Sequence, residues 1–383
     1  MNTPLKIALT IILAALPWSN TSAQTVMDIN KSAAHLIPVS ITGFNGEAAD
    51  VLKFDLAVLG IQVSEPADYS IHGQTGAGIE GTLSATGSLR PLISKAYTGG
   101  TPRSQAHAFA NDIVKELRGS SPIFQGKIAF RLKQGASTEI CVSDFDGNNP
   151  VMVTHDGVLV DAPSWLPGGR GLLYTSWKNG NTEIFEQNLS TGARRVFAGY
   201  PGSNFSPEVS PDGQKVALIL SKGGSPNLYV CDSDGGNLRQ LTHTRDDDSC
   251  PCWSSDSQEI CFVCRSGRAG LQKININGGE ARPVRVSGVY GNLTAPDWSP
   301  DGRQIAFTSG SGNFTICVMP AGGGMAEKLV QGEDPCWAPN SRTIIFGRQI
   351  SNKRILCLLD VPTKHVKDVR QISGSCSEPS WAR

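Results

Sequence analysis

Apolar residues in the last two thirds of the chain come in short, regular runs separated by turn residues, a pattern typical of β-strands. The clearest stretch, 296–307, predicts a short strand that contains Trp298, a tight turn at 300–302 and a second strand at 305–307. The turn is Pro-Asp-Gly, in which proline fixes φ and glycine tolerates positive φ. The same unit recurs, and its Pro-x-Trp or Pro-x-Val element starts at Pro163, Pro207, Pro251, Pro296, Pro335 and Pro379.

The spacing of this element is regular. Successive motif prolines lie 44, 44, 45, 39 and 44 residues apart. From each of the first five motif tryptophans (or Val209), the next apolar strand begins seven residues later. A period of about 40–45 residues with one strand-turn-strand signature predicts propeller blades of four strands each.

The last unit, 379–383, stops before its second strand, whereas Gly126-Lys127-Ile128-Ala129-Phe130 has that strand without a preceding motif. We therefore expect 379–383 to supply the inner strand of a blade whose other three strands lie near 126–154. Five complete units and one shared unit give six blades. A ring closed in this way leaves few exposed strand edges.

Residues 24–122 carry no repeat and predict a small α/β domain. Strands are expected at 36–41, 69–72, 78–83 and 92–97, and helices at 48–59 and 103–118. Thr101, Pro102 and Gly119 have the residue types that start and stop the second helix. Pro38 suggests that the first strand lies at a sheet edge. The predicted fold class is mainly β, a six-bladed β-propeller at 123–383 preceded by this α/β domain.

Residues 1–23 have the features of a signal peptide. Lys6 provides the positive end, 7–16 form the apolar region, and 17–23 are small and polar, with cleavage expected after Ala23. Ten apolar residues are too few to span a bilayer. The mature chain is expected to be exported and soluble.

The chemistry of an enzyme is not evident. G-x-S-x-G, H-E-x-x-H and Walker A motifs are absent, and the six histidines are scattered singly. Lys and Arg balance Asp and Glu at 34 each, so no basic face for nucleic acid is indicated. We predict no catalytic residue, no cofactor and no metal site.

Ten cysteines are many for an exported chain, but their regular placement in the repeats favours small buried strand residues. A zinc site at Cys250, Cys252, Cys261 and Cys264, or a disulfide, is the alternative. The stretches 144–147 (Asp-Phe-Asp-Gly) and 232–235 (Asp-Ser-Asp-Gly) are interpreted as hairpin turns. The alternative, a calcium loop, lacks the terminal bidentate Glu.

Several stretches besides the repeats carry a family resemblance: 227–232 (NLYVCD), 238–242 (LRQLT), 274–279 (ININGG), and the junction 106–130 with its AH, ANDI, LRG and GKIAF segments. With a signal peptide, a small α/β domain and six blades in this order, the chain resembles the TolB family, the periplasmic components of Tol-Pal systems. Departures are a short N-terminal domain, degenerate motifs at 254–257 and 338–341, and the cysteine content.

The resemblance implies a non-enzymatic periplasmic scaffold, peripherally associated with the envelope and expected to be a monomer. Such proteins bind the peptidoglycan-associated lipoprotein Pal over one mouth of the propeller and the inner-membrane protein TolA through their N-terminus. They support outer-membrane integrity and constriction at cell division. The alternative is a propeller enzyme or small-ligand-binding protein that uses the central channel.

The loops that lead into the Pro-x-Trp strands join an outer strand to the next inner strand, so they should share one mouth. This places a predicted partner surface, mostly acidic, at Asp161, Asn204, Phe205, Asp246, Asp247, Asp248, Asn292, Thr294, Glu333, Asp334 and Glu378. Its charged run at 245–248 can equally be a solvated loop tip. A second partner segment is predicted at Gln24, Thr25, Val26, Met27, Asp28, Ile29 and Asn30, with a frayed terminus as the alternative.

Overall fold

A sheet packed against two helices opens the part of the chain that the computed structural model describes, residues 34–383. The strand order is β2-β1-β3-β4-β5; β1 runs parallel to β2 and β3, and the remaining pairs are antiparallel. The strands are Ile37–Thr42 (β1), Ile61–Val63 (β2), Tyr69–Thr75 (β3), Ile79–Ala85 (β4) and Ile93–Tyr97 (β5). The predicted signal peptide and the segment 24–30 lie outside the described residues.

Both predicted helices are present, as Gly46–Val58 (α1) and Pro102–Arg118 (α2). The second begins with a capping box, in which the Thr101 and Ser104 side chains each accept a backbone N–H of the other residue. It ends at Gly119, whose φ of 61° is a left-handed conformation that glycine adopts at little cost. Each helix buries an apolar face, and the two helices pack against each other. No helix among residues 34–383 is both long and apolar enough to cross a membrane.

The prediction that Pro38 marks an edge strand is wrong. Its strand β1 lies between β2 and β3, and the three-residue β2, which the sequence did not predict, forms the edge. Pro38 is tolerated because the ladder to β3 starts one residue later, at the pair Val39–Tyr69. The missing N–H of Pro38 therefore breaks no ladder bond, and its carbonyl accepts the Asp68 N–H at 2.9 Å.

Six four-stranded antiparallel sheets follow, and they are the blades of a propeller. The three outer strands of blade 6 come first: Lys127–Gln134 (β6), Ser137–Asp144 (β7) and Val151–Met152 (β8). Blade 1 comprises Val160–Trp165 (β9), Gly171–Ser176 (β10), Glu183–Asn188 (β11) and Arg194–Ala198 (β12). Blade 2 comprises Asn204–Val209 (β13), Lys215–Leu220 (β14), Asn227–Asp232 (β15) and Arg239–Gln240 (β16).

The remaining blades repeat this plan. Blade 3 comprises Asp247–Trp253 (β17), Glu259–Ser266 (β18), Arg268–Asn275 (β19) and Arg282–Pro283 (β20). Blade 4 comprises Asn292–Trp298 (β22), Gln304–Gly310 (β23), Thr315–Pro320 (β24) and Glu327–Gln331 (β26), beside a parallel pair of Val286–Ser287 (β21) and Gly324–Met325 (β25). Blade 5 comprises Glu333–Trp337 (β27), Thr343–Ile350 (β28), Lys353–Asp360 (β29) and His365–Asp368 (β30).

The predicted ring closure is confirmed. Ser375–Trp381 (β31) is the innermost strand of blade 6 and pairs with β6, so that Trp381 lies opposite Ile128. In the other blades, the seven-residue spacing seen in the sequence corresponds to strand pairing. It separates two residues that lie opposite each other on neighbouring strands, such as Trp298 and Ile305.

Side chains hold the turn between the first and second strands in blades 2 to 5. In blade 4 the Ser299 hydroxyl donates to Asp301 at 2.6 Å and accepts the Gln304 N–H at 2.9 Å. In blade 5 alanine replaces this serine, and the Asn340 carboxamide oxygen accepts two backbone N–H groups instead. Ser341 takes the left-handed conformation that glycine has elsewhere, with φ of 52°. The degenerate motif therefore makes the same turn by other bonds.

Motif tryptophans pack between neighbouring blades. The Trp165 indole N–H donates to the Ser380 carbonyl of blade 6 at 3.0 Å, and the Trp253 N–H donates to the Glu208 carbonyl of blade 2 at 2.8 Å. Both indoles are almost fully buried. All ten cysteines are unpaired and eight are buried, so they behave as small core residues.

Phe145 joins the α/β part of the chain to the propeller. It lies in the turn after β7 and is fully buried among Phe54 of α1, His107 of α2, Phe124 and Trp381. The stretch 144–147 is thus a turn, as predicted. Its phenylalanine stands where 232–235 has a serine, and both helices cover it.

A buried charged cluster lies beside Phe145. His107 Nδ1 is 2.6 Å from Asp55 Oδ2, and its Nε2 is 4.0 Å from Asp146 Oδ2, to which Arg103 also binds. Burial raises the pKa of Asp55 to about 6. Asp55 and Asp146 approach His107 from α1 and from the propeller, so the imidazole connects the two parts.

We predict that Trp381→Ala lowers the free energy of unfolding by about 3–5 kcal/mol, because Trp381 both closes the ring and stacks on Phe145. Trp177→Ala is the matched control, since Trp177 is half-buried in a loop outside the motifs. Urea unfolding measures both losses. Equal losses in the two variants would contradict the closing role of Trp381.

Candidate functional site

A β-bulge interrupts the innermost strand of every blade. In blade 4, Thr294 pairs with Thr308 and Asp297 with Ala306, so two residues of β22 face one residue of β23. The motif proline is the second of the two, where the ladder requires no N–H. The first has φ between 47° and 55° in all six blades: Ala162, Ser206, Cys250, Ala295, Asp334 and Glu378.

These bulges form the wall of the central channel. In each blade the left-handed residue, the proline and the residue that follows it all line one cavity of about 590 Å³. The third position is the x of Pro-x-Trp, and its occupants are Ser164, Glu208, Cys252, Asp297, Cys336 and Ser380. A single repeated tripeptide thus places two tiers of side chains in the channel. The left-handed residues form the first tier, and the residues at position x form the deeper tier.

Hydrogen bonds link neighbouring bulges. The Ala162 N–H donates to Glu378 Oε2 at 2.9 Å, and the Glu378 N–H donates to Asp334 Oδ2 at 3.4 Å. Arg131 Nη1 binds the other oxygen of Glu378 at 2.7 Å. Burial raises the pKa of Glu378 to about 7 and that of Asp161 to about 6, and it also raises the pKa of Asp334. These carboxyls therefore carry less negative charge at neutral pH than their number implies.

Arg383 crosses the deeper tier. Its guanidinium binds both oxygens of Asp297, at 2.8 and 3.0 Å, and Asp297 also accepts the Trp337 N–H at 2.6 Å. Burial, and next the charge of Asp297, raise the pKa of Glu208 to about 8. Glu208 is thus mostly neutral at pH 7, and the carboxylate of Asp297 beside it is paired with Arg383.

The two ends of the channel differ. We define the upper mouth as the end of the channel where loops lead into the innermost strands; these loops include 153–159, 199–203, 241–246, 284–291 and 369–374. The lower mouth is the opposite end. Hairpins between second and third strands also lie at the upper mouth, because antiparallel strands alternate in direction. The α/β part contacts the turn at Phe145 and the strands β29 and β30, on the lower side of blades 5 and 6.

The structure brings four predicted partner residues into the channel wall: Asp161, Phe205, Asp334 and Glu378. Phe205 is partly exposed there and also packs on the core of blades 2 and 3. Glu333 lies next to this wall and is paired with Arg354 at 2.7 Å.

The other predicted residues lie elsewhere. Asn204 and Asp248 are buried: Asn204 binds the backbone of its own loop, and Asp248 accepts the Thr242 hydroxyl at 2.5 Å. They order their loops rather than face a partner. Asp246 is half-buried and Asp247 is exposed, whereas Asn292 and Thr294 are half-buried outside the cavity wall.

Sequence reasoning missed the deeper tier, namely Glu208, Cys252, Asp297 and Cys336, together with Arg383. The signal was available, since position x of every Pro-x-Trp element faces the channel. Among residues 34–383, no group of three or more His, Cys, Asp or Glu is placed to hold a metal ion.

We predict that Glu208 makes the fold less stable as pH rises. Its ordinary pKa is 4.5 and its folded pKa about 8, so the folded state holds the extra proton between these values. The corresponding stabilisation is complete below pH 4.5 and is lost as pH rises towards and through 8. Glu208→Gln, which cannot ionise, should reduce the loss of unfolding free energy between pH 5 and 8.5 by on the order of 1–3 kcal/mol.

Chemical unfolding at several pH values measures this difference. Glu280→Gln is the control, because Glu280 is exposed and has the same chemistry. A pH dependence of Glu208→Gln equal to that of the unaltered chain would contradict the assignment.

Comparisons with known proteins agree with this architecture. The family described as TolB beta propeller domain matches residues 114–383. The Tol-Pal system protein TolB of Bordetella pertussis is 28% identical, over 98% of this chain and 94% of that protein. TolB of Bordetella bronchiseptica matches to the same extent.

Solved structures show the same fold. TolB from Acinetobacter baumannii superimposes with a TM-score of 0.81 at 21% identity, and the match covers 91% of this chain and 96% of that one. A putative TolB from Agrobacterium tumefaciens gives 0.52 at 19% identity, over 64% of this chain and 88% of that one. Since the family match spans well over half of the sequence, this chain belongs to the TolB β-propeller family.

Proposed function

We propose that this chain is a non-enzymatic, periplasmic component of a Tol-Pal system. The names of its relatives support the system, and the predicted signal peptide at 1–23 supports export. In this role the chain connects an outer-membrane lipoprotein with an inner-membrane Tol protein, and so maintains the envelope and its constriction at cell division.

The lipoprotein partner is a Pal-like peptidoglycan-associated protein, and its binding site is the upper mouth. The observation that carries this assignment is the asymmetry of the channel. Helices pack at the lower side of blades 5 and 6, whereas loops from every blade surround the upper mouth. A site built from six blades can contact a whole protein domain.

Phe205 is the apolar anchor of this site. Its side chain lines the channel and is partly exposed, and Trp177 of blade 1 lines the same cavity. Aromatic side chains near the centre of an interface often carry much of the binding energy. The polar residues around it contribute mainly to orientation and association rate.

The segment 24–30 binds a TolA-like inner-membrane protein in this proposal. The expectation rests on the family resemblance and on the position of the segment after the signal peptide. It is independent of the channel and is tested separately.

A second candidate function is binding of a small ligand within the channel, as a propeller enzyme or a receptor. The cavity of about 590 Å³, its aromatic side chains and its carboxyls with raised pKa values favour this candidate. Depletion of one small molecule from an envelope extract by the purified chain, blocked by Glu208→Gln, would favour it over the scaffold.

We predict that Phe205→Ala weakens binding to the purified periplasmic domain of the peptidoglycan-associated lipoprotein from the same organism. Loss of a central aromatic anchor should raise the dissociation rate about tenfold or more. Phe197→Ala is the matched control, a phenylalanine on the outer strand of blade 1. Surface-immobilised kinetics measure both variants, and thermal unfolding checks that they fold. An unchanged dissociation rate for Phe205→Ala would contradict the proposed site.

Deletion of 24–30 from the mature chain should abolish binding to the soluble domain of the inner-membrane Tol protein and retain lipoprotein binding. The expected result follows because the two partners use different parts of the chain. Pull-down with each purified domain measures it. A deletion that leaves both interactions unchanged would contradict the assignment of this segment.

A further inference from the structure

The upper mouth carries exposed cations on most of its circumference. Blades 6, 2, 3 and 5 contribute them from strand ends and loops there: Lys133, Lys222, Arg245, Arg268 and Lys353. None of the five is in an ion pair with a described residue. The formal net charge of the chain is zero, so its composition gave no sign of this concentration.

Some of these cations are held in place. Lys222 Nζ lies 4.7 Å from the ring centre of Tyr200 and 5.0 Å from that of Tyr229. Cation–π contact fixes the ammonium group without neutralising it. Arg268 and Lys353 are the first residues of β19 and β29, in hairpins that present them at the mouth. Their positions therefore depend on the blade framework.

The carboxyls of the same region do not offset this charge. Glu378 and Glu333 are paired with Arg131 and Arg354, and burial raises the pKa of both carboxyls. Asp248 is buried. Asp246 is half-buried, and the exposed Asp247 lies directly across from Arg265 in the pairing of β17 with β18.

The lower mouth carries exposed charges of both signs. Turns between first and second strands place Asp212, Asp256 and Asp301 there, where each carboxylate accepts bonds from its own turn. The pKa of Asp212 and that of Asp256 are lowered, in Asp256 chiefly by the bond from Ser254, so both are ionised at neutral pH. Arg170 and Arg303 are exposed in the same set of turns, so the lower mouth is mixed in sign, whereas most exposed charges at the upper mouth are positive.

We propose that these five cations form a basic rim, which binds an acidic face of the partner protein at the upper mouth. The inference rests on the proposed function and reverses the sign of the surface that the sequence predicted. A basic rim around an open channel speeds association with an acidic face and orients it, and Phe205 then supplies affinity at the centre.

The test uses the mature chain and the purified periplasmic domain of the lipoprotein. Lys133→Glu/Arg268→Glu reverses two rim charges on different blades. Arg170→Glu/Arg303→Glu is the matched control, with the same change in net charge at exposed lower-mouth turns. In about 20 mM salt, we expect the rim variant to associate on the order of tenfold more slowly than the unaltered chain. At about 0.5 M salt the difference should nearly disappear, and the control should stay within about twofold throughout.

Each outcome separates the two proposals. No binding by the unaltered chain overturns the proposed function, and the rim with it. Binding that is equally fast, or faster, in the rim variant overturns the basic rim alone. Vesicles of phosphatidylglycerol are tested in parallel. Rim-dependent binding to these vesicles, with lipoprotein binding unaffected, would assign the cations to a membrane surface and overturn the inference.

Discussion

The innermost strand of every blade holds one residue more than its neighbour, and this mismatch organises the molecule. The extra residue adopts a left-handed backbone, the proline after it needs no hydrogen-bond partner, and the next side chain turns into the channel. Two residues beyond the proline, the tryptophan reaches the neighbouring blade. One local distortion, repeated six times, therefore sets the channel wall and the blade-to-blade contacts together.

This local rule explains what could be predicted from the sequence. The seven-residue step gave the strand register and the split motif gave the ring closure, because both depend on short-range patterns. The candidate surface was predicted less well. That Asn204 and Asp248 are buried depends on strands brought over them by the fold. That Glu378 is paired with Arg131 depends on two residues about 250 positions apart, which no local pattern relates.

The sign of the surface charge was predicted poorly for the same reason. Counting acidic residues near the motifs predicted a negative surface, whereas burial raises the pKa of Glu378 and Glu333, and arginine partners offset the negative charge that they carry. The lysines and arginines that remain exposed lie at strand ends, where sequence reading assigned them no role. The electrostatic field at the upper mouth is set by the charges that stay exposed to water. Which charges these are depends on the folded structure.

Ring closure also sets an order in time. Strand β31, the last strand in the sequence, pairs with β6, the first strand of the propeller. In a chain synthesised from its N-terminus, β6 is made before all the later blades, and its inner edge stays unpaired until β31 is made. Folding of the propeller is thus completed by its most distant contact, a topology that slows folding. Until β31 pairs with it, the inner edge of β6 is an open strand edge of the kind that favours aggregation.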